Sequence, residues 1–75
     1  MVKLDLARLT REELRSEVDK LCSRVGTVQE VFVVRAQKMT FAMVKMSSLP
    51  ENSEVLRRFG DYKVDSMVLI EIEQP

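Results

Sequence analysis

Short stretches of alternating apolar and polar residues, separated by two stretches of helical spacing, run through this chain. Val2 to Leu6 read Val, Lys, Leu, Asp, Leu, the pattern of a half-buried strand with Lys3 and Asp5 on its wetter side. Thr10, with Glu13 three residues on, has the form of a capping box. After it Leu14, Val18, Leu21, Cys22 and Val25 recur at helical spacing. Gly26 is placed to end that helix in a conformation of positive φ. Val28, Val31 and Val33 then predict the core side of a second strand, with Phe32 and Val34 on its other face. Arg35 to Lys38 is a short polar link. Lys38 to Met46 predicts a third strand, with Ala42, Val44 and Met46 inward and Phe41, Met43 and Lys45 outward. So little chain between two strand patterns predicts an antiparallel hairpin. Ser48 caps a second helix with Pro50 in its first turn, and Val55, Leu56 and Phe59 form its buried side. Gly60 stops it and Asp61 to Asp65 read as a turn, which makes Tyr62 a surface or packing residue. Met67 to Glu73 alternate again, with Val68, Ile70 and Ile72 as the core set.

The order strand, helix, strand, strand, helix, strand predicts an α+β domain over residues 1–75. The economical arrangement is a ferredoxin-like βαββαβ sandwich, a four-stranded antiparallel sheet with two helices packed on one face. The other face is then open. By alternation it carries Lys3, Asp5, Phe32, Val34, Phe41, Met43, Lys45, Met67, Leu69 and Glu71, of which six are apolar. A soluble monomer usually makes such a face polar, so a contiguous apolar patch marks a binding surface.

Composition narrows what that surface can do. The chain has 75 residues, 45% hydrophobic and 32% charged, which describes one small globular domain with a thin stability margin. No apolar run is long enough to span a membrane, and the N-terminal residues do not resemble a secretory signal. Cys22 is the single cysteine and lies on the apolar stripe, which predicts a small core residue and a reducing, intracellular, cytoplasmic setting. With no histidine and one cysteine, ordinary zinc sites and most acid–base schemes are excluded, so no metal, cofactor or enzyme activity is expected. Net charge is zero. Its distribution is uneven: residues 31–50 carry Arg35, Lys38 and Lys45 without an acid, whereas residues 61–75 carry Lys63 against Asp61, Asp65, Glu71 and Glu73.

The third strand carries a resemblance. Residues Met39 to Met46 resemble the longer signature of the RNA recognition motif, which runs Lys/Arg, Gly, aromatic, Gly/Ala, Phe, Val, any, aromatic. Phe41, Ala42 and Val44 match its third, fourth and sixth positions; Met39, Thr40, Met43 and Met46 stand at the others. Leu4 to Leu9 are similar to the family's shorter motif in two aliphatics and the final Leu, with Asp5 where an aromatic belongs. Leu21 to Gly26 resemble its Leu-Phe-Ser-Lys-Phe-Gly helix end, and Pro50 to Glu54 its Pro-Glu-Asp-Ala-Glu helix start. The likeness covers nearly the whole chain, and its signature motifs are degenerate.

What the resemblance implies is single-stranded RNA binding on the sheet, where bases stack on aromatic side chains. Phe41 and Phe32 would stack, Met43 would give apolar support, and Arg35, Lys38, Lys45 and Lys3 would meet phosphates. Few cations predict weak binding with a shallow salt dependence. The alternative is protein association, by self-pairing or with a partner, through Phe32, Val34, Phe41, Met43, Met67 and Leu69. The missing stacking aromatics, the retained apolarity and the zero net charge suit that reading. A ligand-sensing domain finds little support, because no glycine-rich loop joins a strand to a helix.

Overall fold

Two capped helices pack against one sheet. The computed structural model describes residues 1–75. In chain order they form β1 (Val2–Lys3), α1 (Arg11–Ser23), β2 (Val28–Arg35), β3 (Thr40–Met46), α2 (Leu49–Arg58), β4 (Tyr62–Val64) and β5 (Met67–Glu73). Helix α1 begins in the expected capping box. The Glu13 amide donates to Thr10 Oγ1 at 3.1 Å and the Thr10 amide to Glu13 Oε1 at 2.9 Å, so two otherwise orphaned donors are satisfied. Ser48 caps α2 by accepting from the Glu51 amide at 3.3 Å. Leu14, Val18 and Cys22 of α1 and Val55 of α2 join one buried cluster with the inward residues of β2, β3 and β5. Both helices therefore cover the same face of the sheet.

The sheet differs from the ferredoxin-like expectation. It has five strands in the order β1-β5-β3-β2, with β4 also paired to β5. It is mixed, because β1 runs parallel to β5, with Val2 beside Ile72 and Lys3 beside Glu73. A ferredoxin-like sheet places its first strand inside, between the third and the last; here the last strand occupies that inner place. Length decides this. An inner strand must satisfy hydrogen-bonding groups along both edges, and β5 offers seven residues where β1 offers two.

Asp5 cuts β1 short. Its Oδ1 accepts from the Ala7 and Arg8 amides, both at 3.2 Å, and its carbonyl accepts from the Leu9 amide at 3.0 Å. That is the local turn a short acidic side chain offers in competition with a strand. The strand expected over Val2 to Leu6 thus ends at Lys3, and Asp5 leaves the open face, although Leu4 and Leu6 still pack against the core.

The segment expected as a turn contains β4. Tyr62, Lys63 and Val64 pair with Leu69, Val68 and Met67, and the chain reverses through Asp65 and Ser66. Asp65 has φ 55°, a left-handed conformation that Asp tolerates better than most residues. The third strand starts at Thr40, two residues later than expected, and β2 extends to Arg35, leaving Ala36 to Met39 as the hairpin loop. Neither glycine has positive φ. Helix α1 ends with Arg24 as its right-handed cap, so Gly26 does not play the left-handed role expected of it. Gly60 is required for space: a Cβ there would fall 2.6 Å from Val68 Cγ1 and 2.7 Å from Leu56 Cα, where α2 closes on β5.

Alternation within the strands is as expected. Val31, Val33, Ala42, Val44, Met46, Val68, Ile70 and Ile72 are buried. One buried polar residue ties the layers together. Asn52 of α2 accepts from the Met46 amide at 2.8 Å through Oδ1 and donates to the Ser66 carbonyl at 3.2 Å through Nδ2. It therefore links a helix to the end of β3 and to the β4–β5 turn.

Two buried residues of the core, Asn52 and Cys22, can be tested directly. Asn52→Ala leaves a buried amide and a carbonyl without partners, and should lower the unfolding free energy by about 2–3 kcal/mol; a urea titration should show a lower midpoint at unchanged slope. Burial, reinforced by Asp19, pushes the Cys22 thiol up to about 11. A thiol-reactive disulfide reagent should thus label native protein at pH 8 only as fast as the protein opens. Because folding favours the neutral thiol, this group leaves stability unchanged below about pH 9 and lowers it as pH rises toward 11.

Candidate nucleic-acid interface

Cross-strand partners point to the same side of a sheet, so the register assembles the open face row by row. Phe32 pairs with Met43, Met43 with Leu69, and Leu69 with Tyr62. These four form one unbroken row over β2, β3, β5 and β4. On one side lies the row Val34, Phe41 and Glu71. On the other, Lys45 stands opposite Glu30, and Met67 opposite Val64. Phe32 is 41% exposed, Tyr62 60% and Val64 42%; Val34, Phe41, Met43, Met67 and Leu69 are half-buried. The row is thus a half-buried aliphatic floor with an exposed aromatic ring at each end. The two ring-bearing backbones stand three strand spacings apart, about 14 Å.

Tyr62 is the residue that reading the segment as a turn conceals. Its signal is a short alternation, Tyr-Lys-Val, separated by two residues of turn chemistry, Asp-Ser, from a strong strand. That is the spacing of a tight hairpin. With Tyr62 added, three of the four aromatic residues in the chain lie on this face; the fourth, Phe59, packs against the core.

The expected cations divide by what they already touch. Arg35 donates to the Leu9 carbonyl at 3.0 Å and to the Leu6 carbonyl at 2.7 Å, and so holds the loop between β1 and α1. Those bonds tie up its guanidinium. Lys3 sits beside Glu73 on the β1 edge, away from the aromatic row. Lys45 lies in the row flanking the aromatic one, opposite Glu30, and Lys38 is exposed in the β2–β3 loop. Arg57 and Arg58, on α2, both bind Glu54 at 2.6 Å, which holds that carboxyl down at about 2. Asp5 does not lie among the aromatic residues of the face.

Two arginines outside the expected set lie close to the face. Arg15 donates from Nε to the Val31 carbonyl on the free edge of β2, at 3.2 Å, and Arg11 is one helical turn before it. They border a groove that also includes Phe32.

No group of three His, Cys, Asp or Glu side chains could hold a metal ion. No helix is long and apolar enough to cross a membrane. The open face presents apolar side chains, three aromatic rings and a few cations. No protein-family model, curated protein or solved structure matches the chain.

Proposed function

We propose that this chain is a small RNA-binding module, not an enzyme, that holds single-stranded RNA weakly on its open sheet face inside the cell; it resembles the RNA recognition motif in the signature of its third strand and differs from it in strand order. The observation that carries the reading is the gathering of Phe32, Phe41 and Tyr62 on one unpartnered face, with two of the rings well exposed. Bases present a flat π-face whatever their identity, and an aromatic platform stabilises each by about 1–3 kcal/mol. Phe32 and Tyr62 serve the two ends of the row, Phe41 lies between them in the next row, and Met43 and Leu69 supply the floor. Lys45 and Lys38 meet phosphates, and Lys3 contributes from the edge. Zero net charge and the nearby Glu30 and Glu71 keep the affinity low and its sequence preference slight.

One observation favours protein association as a second reading. Lys45 and Glu71 stand at diagonal corners of the apolar patch, with Met43 and Leu69 between them. A two-fold axis across that diagonal would set each lysine against the glutamate of a second copy, as a self-complementary dimer interface requires.

Anisotropy titration of a labelled single-stranded octaribonucleotide at low salt, run beside sedimentation of the free protein, separates the two. For RNA binding, Phe32→Ala, Phe41→Ala and Tyr62→Ala should each weaken affinity by about 1–3 kcal/mol while the protein stays monomeric. For self-pairing, the wild type should sediment as a dimer that Met43→Asp or Leu69→Lys converts to a monomer.

A further inference from the structure

The edge of the sheet beside Phe32 is left open by the strand order, since β2 has no neighbour beyond it. A groove of about 370 Å³ runs there between the first turns of α1 and the strand, lined by Arg11, Glu12, Arg15, Phe32, Val33 and Val34. We infer that this groove takes the phosphodiester backbone of a strand whose base stacks on Phe32, with Arg11 and Arg15 as its phosphate ligands. The inference rests on the stacking reading above and extends it beyond the sheet face.

Four features support it. Arg15 is fixed in place. Its Nε bond to the Val31 carbonyl at 3.2 Å orients the guanidinium and leaves the two terminal amino groups free to meet an anion in a forked geometry. Arg11 lies four residues earlier on the same side of α1, and neither arginine enters an ion pair. One acid, Glu12, shares the groove with the two arginines, so the lining is net positive in a protein of zero net charge. Finally, Phe32 belongs both to the aromatic row and to the groove. A base on its ring therefore has its sugar and phosphate within reach of the helix.

An acidic protein segment adding as a further strand is the competing occupant. The same Arg15 bond disfavours it. Carbonyls on the free side of β2 are what an added strand would pair with, and that of Val31 is already engaged by a side chain.

The test is a salt series. Anisotropy titrations of a labelled oligouridine octamer in increasing potassium chloride give the slope of log K against log salt. Each single-strand phosphate contact contributes about 0.7 to that slope. Arg11→Gln should make it shallower by about 0.7, Arg11→Gln with Arg15→Gln by about 1.4, and Arg11→Lys should restore it. The deficit should be the same on oligoadenosine, because phosphate contacts carry no base information. The Arg11 side chain makes no intramolecular hydrogen bond or ion pair, so its variant keeps the fold even if Arg15→Gln loosens β2. If Phe32→Ala and Tyr62→Ala weaken binding but the arginine variants leave the slope unchanged, the groove assignment fails and the stacking reading stands. If the wild type binds neither oligonucleotide, both fail. Binding of a polyglutamate peptide that is lost in Arg11→Gln, with RNA binding unaffected, would overturn the assignment in favour of an acidic protein segment.

Discussion

Strand β5 is paired along both edges, with β3 on one and β4 and β1 end to end on the other, and the rest of the molecule depends on that arrangement. Its inward residues, Val68, Ile70 and Ile72, belong to the buried cluster that both helices cover. Its outward residues, Met67, Leu69 and Glu71, form the centre of the open face. The two faces are coupled through the two-residue period of a strand, so a slip of one residue would exchange them. Asn52 guards against that slip. It holds the Ser66 carbonyl in the turn just before β5 and the Met46 amide at the end of β3, and so ties both strands to α2.

The open face is a consequence of the same pairing. Because β4 lies along the first half of β5, a ring is added to the end of a row that would otherwise stop at Leu69. Because β1 is confined to the second half, the acidic Asp5 turn stays at the sheet margin. The surface that results is mostly apolar, with rings exposed above a half-buried floor and cations dispersed around it. On the proposed RNA-binding reading, affinity draws on contact area and stacking, with charge as a minor contribution. Arg15 and Arg35 show how a cation can be diverted to the fold: each donates to a backbone carbonyl. Arg15 does so through Nε and keeps its fork free, whereas Arg35 is tied down at both terminal nitrogens.

Much of this was legible in the amino-acid order, and for local reasons. The capping box at Thr10 and Glu13, the Ser48 cap and the position of Pro50 are interactions over three or four residues. The inward sets of β2, β3 and β5 follow from a period of two, and the burial of Cys22 from a period of 3.6. The Asp5 turn and the β4 hairpin are local too. They were hidden because a brief alternation of apolar residues competes with a turn of similar length, and neither pattern outweighs the other over three to five residues.

The amino-acid order thus settles which residues form each long element and which side of it is buried, since both rest on contacts between near neighbours. Which strand lies inside the sheet, that Tyr62 completes the aromatic row, and that Arg35 serves a loop while Arg11 and Arg15 border a groove emerge only when the whole chain has packed. The Arg35 bonds join residues 26 and 29 positions apart, and the Arg15 bond spans 16. Long-range pairings of that kind depend on how competing strands satisfy their hydrogen bonds together, and no periodicity along the chain records the outcome.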